Sequence, residues 1–291
     1  MRNILLLHGG VGIENSLVES ANKKLNSIAD SVKLGSDPLD AVVNAVVIME
    51  DDPDFNAGTG SVMRIDGSIQ MDASVAVPGR FGSVLAIESV KNPVLVARDV
   101  MELTPHTMLA GDGSVKFARL LGYSEYDPST DKARNRLKTA LSSINDPNGE
   151  GYSKYSKLMT KTEFSKFLSD SCDTVGSVAR INGKFAAAVS TGGASPMLRG
   201  RIGDSPIFGA GIYAGEKGAV VATGIGEDIS RRLLCFRIHE KIGTKPLQEI
   251  MEEEVGFFKG VIAGVITVSE DEHGYFANKG MGIGLKIENT M

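Results

Sequence analysis

Two apolar runs flank the dipeptide Asn182-Gly183, "TVGSVARI" before it and "KFAAAVS" after it. Asn-Gly favours a two-residue type I′ turn, in which both central residues take positive φ and the turn matches the twist of paired antiparallel strands. The chain is therefore predicted to fold around a buried hairpin that begins at Thr174. What precedes the hairpin has the opposite character. Over residues 123–171 the composition shifts to Lys, Ser, Asp and Asn with few large apolar residues. That region reads as a linker, with a helical turn at "TEFSKFL". The stretch "SCDTVGSVAR" thus sets Asp173-Thr174 at the boundary between a polar tail and a core strand.

The remaining sequence alternates between helical and strand patterns. Residues 4–7 form an apolar run ending in "HGGVG", a buried strand that enters a glycine-rich loop. Leu17, Ala21, Leu25, Ile28 and Val32 recur at the period of an amphipathic helix, which Gly35 stops. Asp37-Pro38 supplies a cap and a proline for the first turn of the next helix. Ala41, Val42, Ala45, Val46 and Met49 carry that helix as far as "DDPDFNAGTG". "SVMRI" and "SIQM" around Asp66-Gly67 predict another hairpin, and "DASVAV" and "SVLAIESV" two further strands. Asn92-Pro93 opens a helix reaching about residue 101, and "GDGSVKFARLLG" another. After the Thr174 hairpin come a strand at "GAVVATG", helices over 227–241 and 246–259, and closing strands at "VIAGVITVS" and "HGYFA". Strands in the middle with helices outside, twice over, predict an α/β fold layered helix–sheet–sheet–helix.

Composition narrows the function. A net charge of −5 argues against a general nucleic-acid or anionic-membrane surface. No uncharged apolar run approaches the ~18 residues of a membrane span. The opening "MRNILLLHGG" has too short an apolar run for a secretory signal, so a cytoplasmic location is expected. Cys172 and Cys235 belong to no CxxC or Cys/His array, and neither a zinc site nor a disulfide framework is expected.

Threonine hydroxyls and glycines cluster in "FNAGTGSV" (55–62), "DTVGSV" (173–178), "STGG" (190–193), "GRIGDSPIFGAGIYA" (200–214) and "ATGIGED" (222–228). None of His8, His106, His239 and His273 accompanies a GxSxG nucleophile elbow. A threonine nucleophile without histidine needs another base. A free α-amine titrates near 7.7–8.0, against about 10.4 for lysine, so an N-terminal threonine carries a near-neutral base on its own residue. That requires the peptide bond before Thr174 to be cut. A plainer alternative has Thr174 merely opening a strand, where β-branched residues are favoured. Likewise Arg201 and Asp204 read alone as a surface ion pair worth under about 1 kcal/mol. "STGG" reads alone as a plain loop, and "ATGIGED" as a strand-to-helix turn with Glu227 near a helix N-terminus.

Taken in order, "HGGVG", "FNAGTGSV", "MDAS", "DTVGSVA", "STGG", "GRIGDSPIFGAGIYA" and "TGIGE" resemble the plant-type asparaginase family of N-terminal nucleophile hydrolases. That family includes isoaspartyl aminopeptidases, glycosylasparaginase and the threonine aspartase. The resemblance runs from His8 into the C-terminal strands and is weakest over 123–171. It implies a four-layer αββα sandwich, built as one domain from an α-subunit (1–173, with a variable linker over about 123–173) and a β-subunit (174–291). It implies that Thr174 is the nucleophile, released when its hydroxyl attacks the preceding carbonyl and the Asp173–Thr174 bond passes through an ester to water. Thr191 is then the threonine beside the nucleophile, and Asn56 a residue lining the site. Arg201 and Asp204 grip the substrate's α-carboxylate and α-amino group, and the chemistry agrees: a planar guanidinium suits a carboxylate, and a carboxylate accepts from an ammonium. Thr223 and Gly224 are the implied oxyanion donors, each worth about 2.7–4 kcal/mol, and the Gly226 carbonyl reaches the substrate amine. No catalytic cofactor is implied. A structural sodium ion on the carbonyls of Glu50, Phe55, Ala57 and Thr59 competes with a plain capped loop as the reading of "MEDDPDFNAGT", since backbone ligands leave no side-chain signature. The implied substrates are small, L-asparagine and β-aspartyl dipeptides, with no nucleic-acid or membrane partner and assembly as a dimer of α/β units.

The match departs at two places. Asp173 stands where asparaginases commonly have glycine and where glycosylasparaginase and the threonine aspartase have aspartate. Lys279 in "FANKGM" occupies the threonine place of an asparagine-threonine motif, which bears on substrate preference. Two rivals therefore remain: hydrolysis of N4-glycosyl-asparagine, and an uncleaved, inactive binding protein. The short linker lacks the long insertion of the threonine aspartase, which argues against a protein-cleaving role.

Overall fold

A computed structural model describes residues 2–144, 174–195 and 197–289. Its centre is the hairpin of β5 (Val175–Ile181) and β6 (Lys184–Thr191). Asn182 and Gly183 take φ of 51° and 74°, as a type I′ turn requires. Every residue of β5 and all but the first of β6 are buried. On one side β5 pairs antiparallel with β1 (Arg2–Ile13), with His8 opposite Gly176. On the other, β6 pairs with β2 (Met71–Val77), with Thr191 opposite Asp72. With β3 (Arg80–Ile87), the short β4 (Met108–Ala110) and β11 (Gly280–Asn289), the seven strands run β11-β1-β5-β6-β2-β3-β4. A second sheet contains β7 (Ile212–Gly215), β8 (Gly218–Gly224), β9 (Ala263–Ser269) and β10 (His273–Ala277), in the order β10-β9-β8-β7.

The two-residue strand period sorts side chains between faces. Leu5, Leu7, Val175, Ala179, Ala186 and Ala188 share one apolar cluster with Val42, Val46 and Met49 of α2 (Pro38–Asp51) and Val96 and Val100 of α3 (Pro93–Leu103). Leu25 and Ile28 of α1 (Val18–Ser31) join it. The alternate residues Ile4, Leu6, Val178, Ala187 and Val189 cluster instead with Ile212, Val221, Ile266 and Val268 of the second sheet. A third cluster joins Val220, Ala222 and Val265 to helices near the C-terminus. The Asp37 side chain accepts the Leu39 N–H at 2.9 Å, the expected cap of α2. Among the described residues no helix is long and apolar enough to cross a membrane.

Four expectations are corrected. Asp66-Gly67 does turn the chain, but its flanks form no strands. Arg64 N–H bonds Ser68 O at 2.7 Å within the turn, and Ile65 N–H goes to Met197 O at 3.3 Å, so tertiary partners take what a ladder would use. Part of the linker-like region is ordered. Helix α4 (Gly111–Leu120) is followed by α5 (Asp131–Ile144), a polar helix entered at Thr130, whose Oγ1 accepts the Ala133 N–H at 3.1 Å. The segment "TEFSKFL" lies outside the described residues. The helix over 227–241 is broken at Leu233, which takes φ 51°, into α6 (Gly226–Arg232) and α7 (Leu234–Lys241). The break follows from partners: Cys235 and Phe236 N–H bond the carbonyls of Ala210 and Gly209, at 3.2 and 2.9 Å, instead of earlier turns. Finally, β11 closes the first sheet where no strand was expected, its glycines having hidden it.

One carboxylate ties these C-terminal helices together. Glu254 of α8 (Leu247–Gly256) is fully buried and meets Arg232 of α6 at 2.8 Å and Arg237 and Lys241 of α7 at 2.9 and 2.6 Å. Burial opposes its ionisation, but hydrogen bonds from Arg237, Lys241 and Arg232 outweigh burial and hold the carboxyl down at about 2. A depressed acid stabilises the fold above its unfolded pKa and loses that contribution as pH falls toward the folded value. Replacing Glu254→Gln should therefore lower stability at neutral pH by about 3 kcal/mol, several degrees in Tm. It should also flatten the acid limb of stability between about pH 4.5 and pH 2. Thermal melts across that range check both, and an unchanged acid limb would count against the clamp.

Candidate active site

Thr174 immediately precedes β5 and is 6% exposed. One step beyond the Val175–Ser190 pair of the hairpin it meets Thr191, the last residue of β6. The Thr174 hydroxyl donates to Thr191 Oγ1 at 3.2 Å, and the Gly193 N–H donates to the same oxygen at 2.9 Å. Asn56 holds this turn from outside the hairpin. Its Nδ2 donates to Gly193 O at 2.6 Å, its Oδ1 accepts the Val62 N–H at 2.9 Å, and its carbonyl accepts the Gly192 N–H at 2.8 Å.

Thr174, Thr191, Arg201, Asp204, Ser205 and Gly224 line one narrow cleft. A roomier hollow near the far end of the hairpin is lined by Pro38, Leu39, Phe185 and exposed charges such as Arg80 and Lys184. It gathers no threonine, and the paired threonine hydroxyls lie in the smaller cleft. Arg201 pairs with Glu227, not with Asp204: its Nε and Nη2 each donate to one carboxylate oxygen at 2.9 Å. Asp204 is buried, and burial pushes its carboxyl up to about 7 against the pull of the nearby Arg201 charge. Its Oδ2 has no hydrogen-bond partner. Gly226 approaches so closely that a Cβ there would stand 2.7 Å from Asp204 Oδ1 and 3.0 Å from Arg201 Nη2. Thr223 is fully buried just behind Gly224, with its hydroxyl unpartnered. Asp173 lies outside the described residues.

The sequence reading passed over further groups at this end of the sheets. Asp72, opposite Thr191, accepts the Ala86 N–H at 2.8 Å; burial raises its pKa while Arg64 and Arg201 oppose the rise. Arg64 is fully buried, donates to Gln70 O at 2.9 Å, and is pulled down to about 10 by burial. Their signal was a charged residue inside an apolar strand pattern. Glu50 ends in a fully buried carboxyl that accepts the Val94 N–H at 3.0 Å, and burial pushes it up to about 8. The Ser190 hydroxyl favours its ionised form from nearby, although neither it nor Glu50 Oε2 completes a hydrogen bond. The Glu50 carbonyl accepts the Thr59 N–H at 2.7 Å. Among the described residues no three His, Cys, Asp or Glu side chains gather to hold a metal ion.

Residues 1–284 match the model of the family described as Asparaginase. A plant-type L-asparaginase of Pyrococcus furiosus is 41% identical over 234 residues, which cover 77% of this chain and 74% of that protein. An isoaspartyl peptidase/L-asparaginase of Homo sapiens is 35% identical over 284 residues, covering 91% and 85%. One of Danio rerio is 36% identical over 290 residues, covering 94% and 87%. With a family match across almost its whole length and relatives well above 30% identity, the chain belongs to the asparaginase family.

Proposed function

We propose that this protein is a self-processing amidohydrolase of L-asparagine and β-aspartyl (isoaspartyl) dipeptides, with Thr174 as nucleophile. The observation that carries the reading is the Thr174–Thr191 hydroxyl pair at 3.2 Å, in the cleft that also holds Arg201 and Asp204. Cleavage of the Asp173–Thr174 bond divides the chain into an α-subunit (1–173) and a β-subunit (174–291) that remain one four-layer αββα domain. The freed α-amine of Thr174 takes the proton of its own hydroxyl, and Oγ1 attacks the substrate's side-chain carbonyl. The Thr223 hydroxyl and Gly224 N–H receive the tetrahedral oxyanion. The amine proton passes to the leaving ammonia or amino acid, and a β-aspartyl ester remains on Thr174. Water, deprotonated by the same amine, hydrolyses that ester and releases aspartate.

Thr191 holds the nucleophile's hydroxyl in line, and Asn56 holds the turn that bears Thr191. Glu227 engages Nε and Nη2 of Arg201, which leaves Nη1 for the substrate α-carboxylate. Asp204 and the Gly226 carbonyl accept from the α-ammonium. No cofactor takes part in the chemistry. A sodium ion would sit on the carbonyls of Glu50, Phe55, Ala57 and Thr59, where it would stiffen the loop that carries Asn56. The fit is partial, since the Glu50 carbonyl already accepts the Thr59 N–H. The functional unit is a dimer of α/β units. Asp173 keeps N4-glycosyl-asparagine as the second substrate reading, and turnover of asparagine, a β-aspartyl dipeptide and a glycosyl-asparagine side by side separates the two.

Incubated wild-type protein should resolve into bands of about 18 and 13 kDa, the shares of 30.8 kDa that a cut before Thr174 gives. Thr174→Ala should stay intact and release no ammonia from asparagine; wild-type turnover in that variant would end the proposal. Arg201→Lys should raise KM for asparagine about 10–100-fold with little change in kcat, because a charge-assisted grip on a spectator carboxylate is uniform binding. Asp204 must be ionised to accept the substrate ammonium, so kcat/KM should fall as pH drops below about 7. Succinamate, which lacks the amino group, should be spared that part of the fall; identical acid limbs for the two substrates would remove Asp204 from the role.

A further inference from the structure

His8 opens the "HGGVG" loop and has no part in the reaction above. It is fully buried and lies directly opposite Gly176 across the β1–β5 ladder. Ile4 and Leu6, four and two residues before it, and Val178, two after Gly176, belong to the apolar cluster shared with the second sheet. By the strand period, His8 and Gly176 present to that same face, and Thr174 lies one pleat beyond. The ring fills the place of a side chain at residue 176. A Cβ there would fall on His8 Nε2 and stand 2.6 Å from Val221 Cγ1, so only glycine leaves the ring its room.

The ring's tautomer follows from its other nitrogen. The Gly10 N–H donates to Nδ1 at 3.2 Å. A nitrogen that accepts carries no proton, so the neutral ring bears its proton on Nε2. Burial drives the imidazole down to about 3, and the Thr174 backbone is the group that opposes this shift. Nε2 has no hydrogen-bond partner, though it is wholly buried. A fixed donor with no other claim on it therefore faces the main chain at the head of β5. Thr174 needs such a tie. The ladder to β6 begins at Val175 and that to β1 at Gly176, so Thr174 stands outside both registers. Once the bond before it is cut it is a chain end, where strands fray unless held.

We propose that His8 is a positioning residue for the nucleophile: its Nε2–H donates to the main-chain carbonyl of Thr174 and holds the new chain end in place against Thr191. The inference rests on Thr174 being the nucleophile. The imidazole stays neutral throughout and moves no proton. Its contribution is to the placement of Oγ1, so it acts on the chemical step and not on the grip of Arg201 and Asp204 on the substrate.

The test compares His8→Leu, which fills the space without a donor, with His8→Gln, which returns an N–H near the Nε2 position. Self-cleavage is followed on gels, and kinetics are normalised to the cleaved fraction. His8→Leu should lower kcat on asparagine about 10–100-fold with KM within about twofold, and His8→Gln should recover most of the loss. Wild-type kcat in His8→Leu, or equal loss in both variants while both melt as folded proteins, would overturn the role. Where His8→Leu does not fold or cleave, Gly176→Ala keeps the imidazole but displaces it. That variant should lose kcat in the same way, and wild-type kcat in it would overturn the role too. Thr174→Ala run in parallel distinguishes the failures: activity there defeats the nucleophile assignment, whereas wild-type kcat in His8→Leu defeats only the part given to His8.

Discussion

The register of β5 against β6 is the constraint on which the rest depends. The turn at Asn182 and Gly183 brings Ile181 opposite Lys184, and six pairs later Val175 stands opposite Ser190. Thr174 and Thr191 meet at the end of that count. A slip of one residue would turn every side chain of a strand to the opposite face. Both faces here are committed, one to the helices and the other to the second sheet, so a slipped strand would set the wrong side chains against each of them. The hydroxyl pair is thus held by the whole hairpin and not by the single 3.2 Å contact between its members.

Around that pair the structure gathers charged side chains in and beside the cleft. Arg64, Asp72, Arg201 and Asp204 alternate in sign, Glu227 adds a second acid beside Arg201, and burial acts on each of them. Arg201 keeps its proton because Glu227 offers it two hydrogen bonds in the same plane. Asp204 lacks such a partner, and its carboxyl is pushed up to about 7. A buried acid of this kind is strained in its ionised form until a cation reaches it, and the ammonium of an α-amino acid would supply that cation. The helix that follows Gly226 is clamped at its other end through Arg232 to Glu254, which keeps Glu227 and Gly226 in reach of Arg201 and Asp204.

What was legible in the sequence were features whose physics is local. Asn182-Gly183 specifies its own turn, Asp37-Pro38 its own helix start, and the apolar runs of β5 and β6 their own burial. Where the deciding partner lies far along the chain, local reading failed. Asp66-Gly67 carries the same hairpin signal as Asn182-Gly183, yet Met197 takes the Ile65 N–H and strands do not form. Helix α7 starts afresh at Leu234 because carbonyls of Gly209 and Ala210, some 25 residues earlier, take its first N–H groups. Helix α5 was hidden by its polarity, since a largely exposed helix needs little apolar periodicity. The candidate site divides the same way. Threonine and glycine clusters announced Thr174, Thr191 and Gly224, whereas Asp72, in a core strand, and Arg64, in a buried loop, are charges whose meaning depends on what lies beside them.

In the proposed reaction the neutrality of His8 bears on the base as well as on the nucleophile's position. An α-amine titrating near 7.7–8.0 serves as a base at physiological pH only if its surroundings do not depress it. Burial of Thr174 already works in that direction, as does the Arg201 charge across the cleft. An imidazolium beside the same residue would add a second nearby cation and push the amine well below neutrality, which weakens it as a proton acceptor. Packing the ring into the space of residue 176, where water cannot support its charge, prevents this. The glycine at 176 therefore leaves room for the donor proposed at the head of β5 without admitting a charge, and a lysine or arginine in place of His8 could not satisfy both demands.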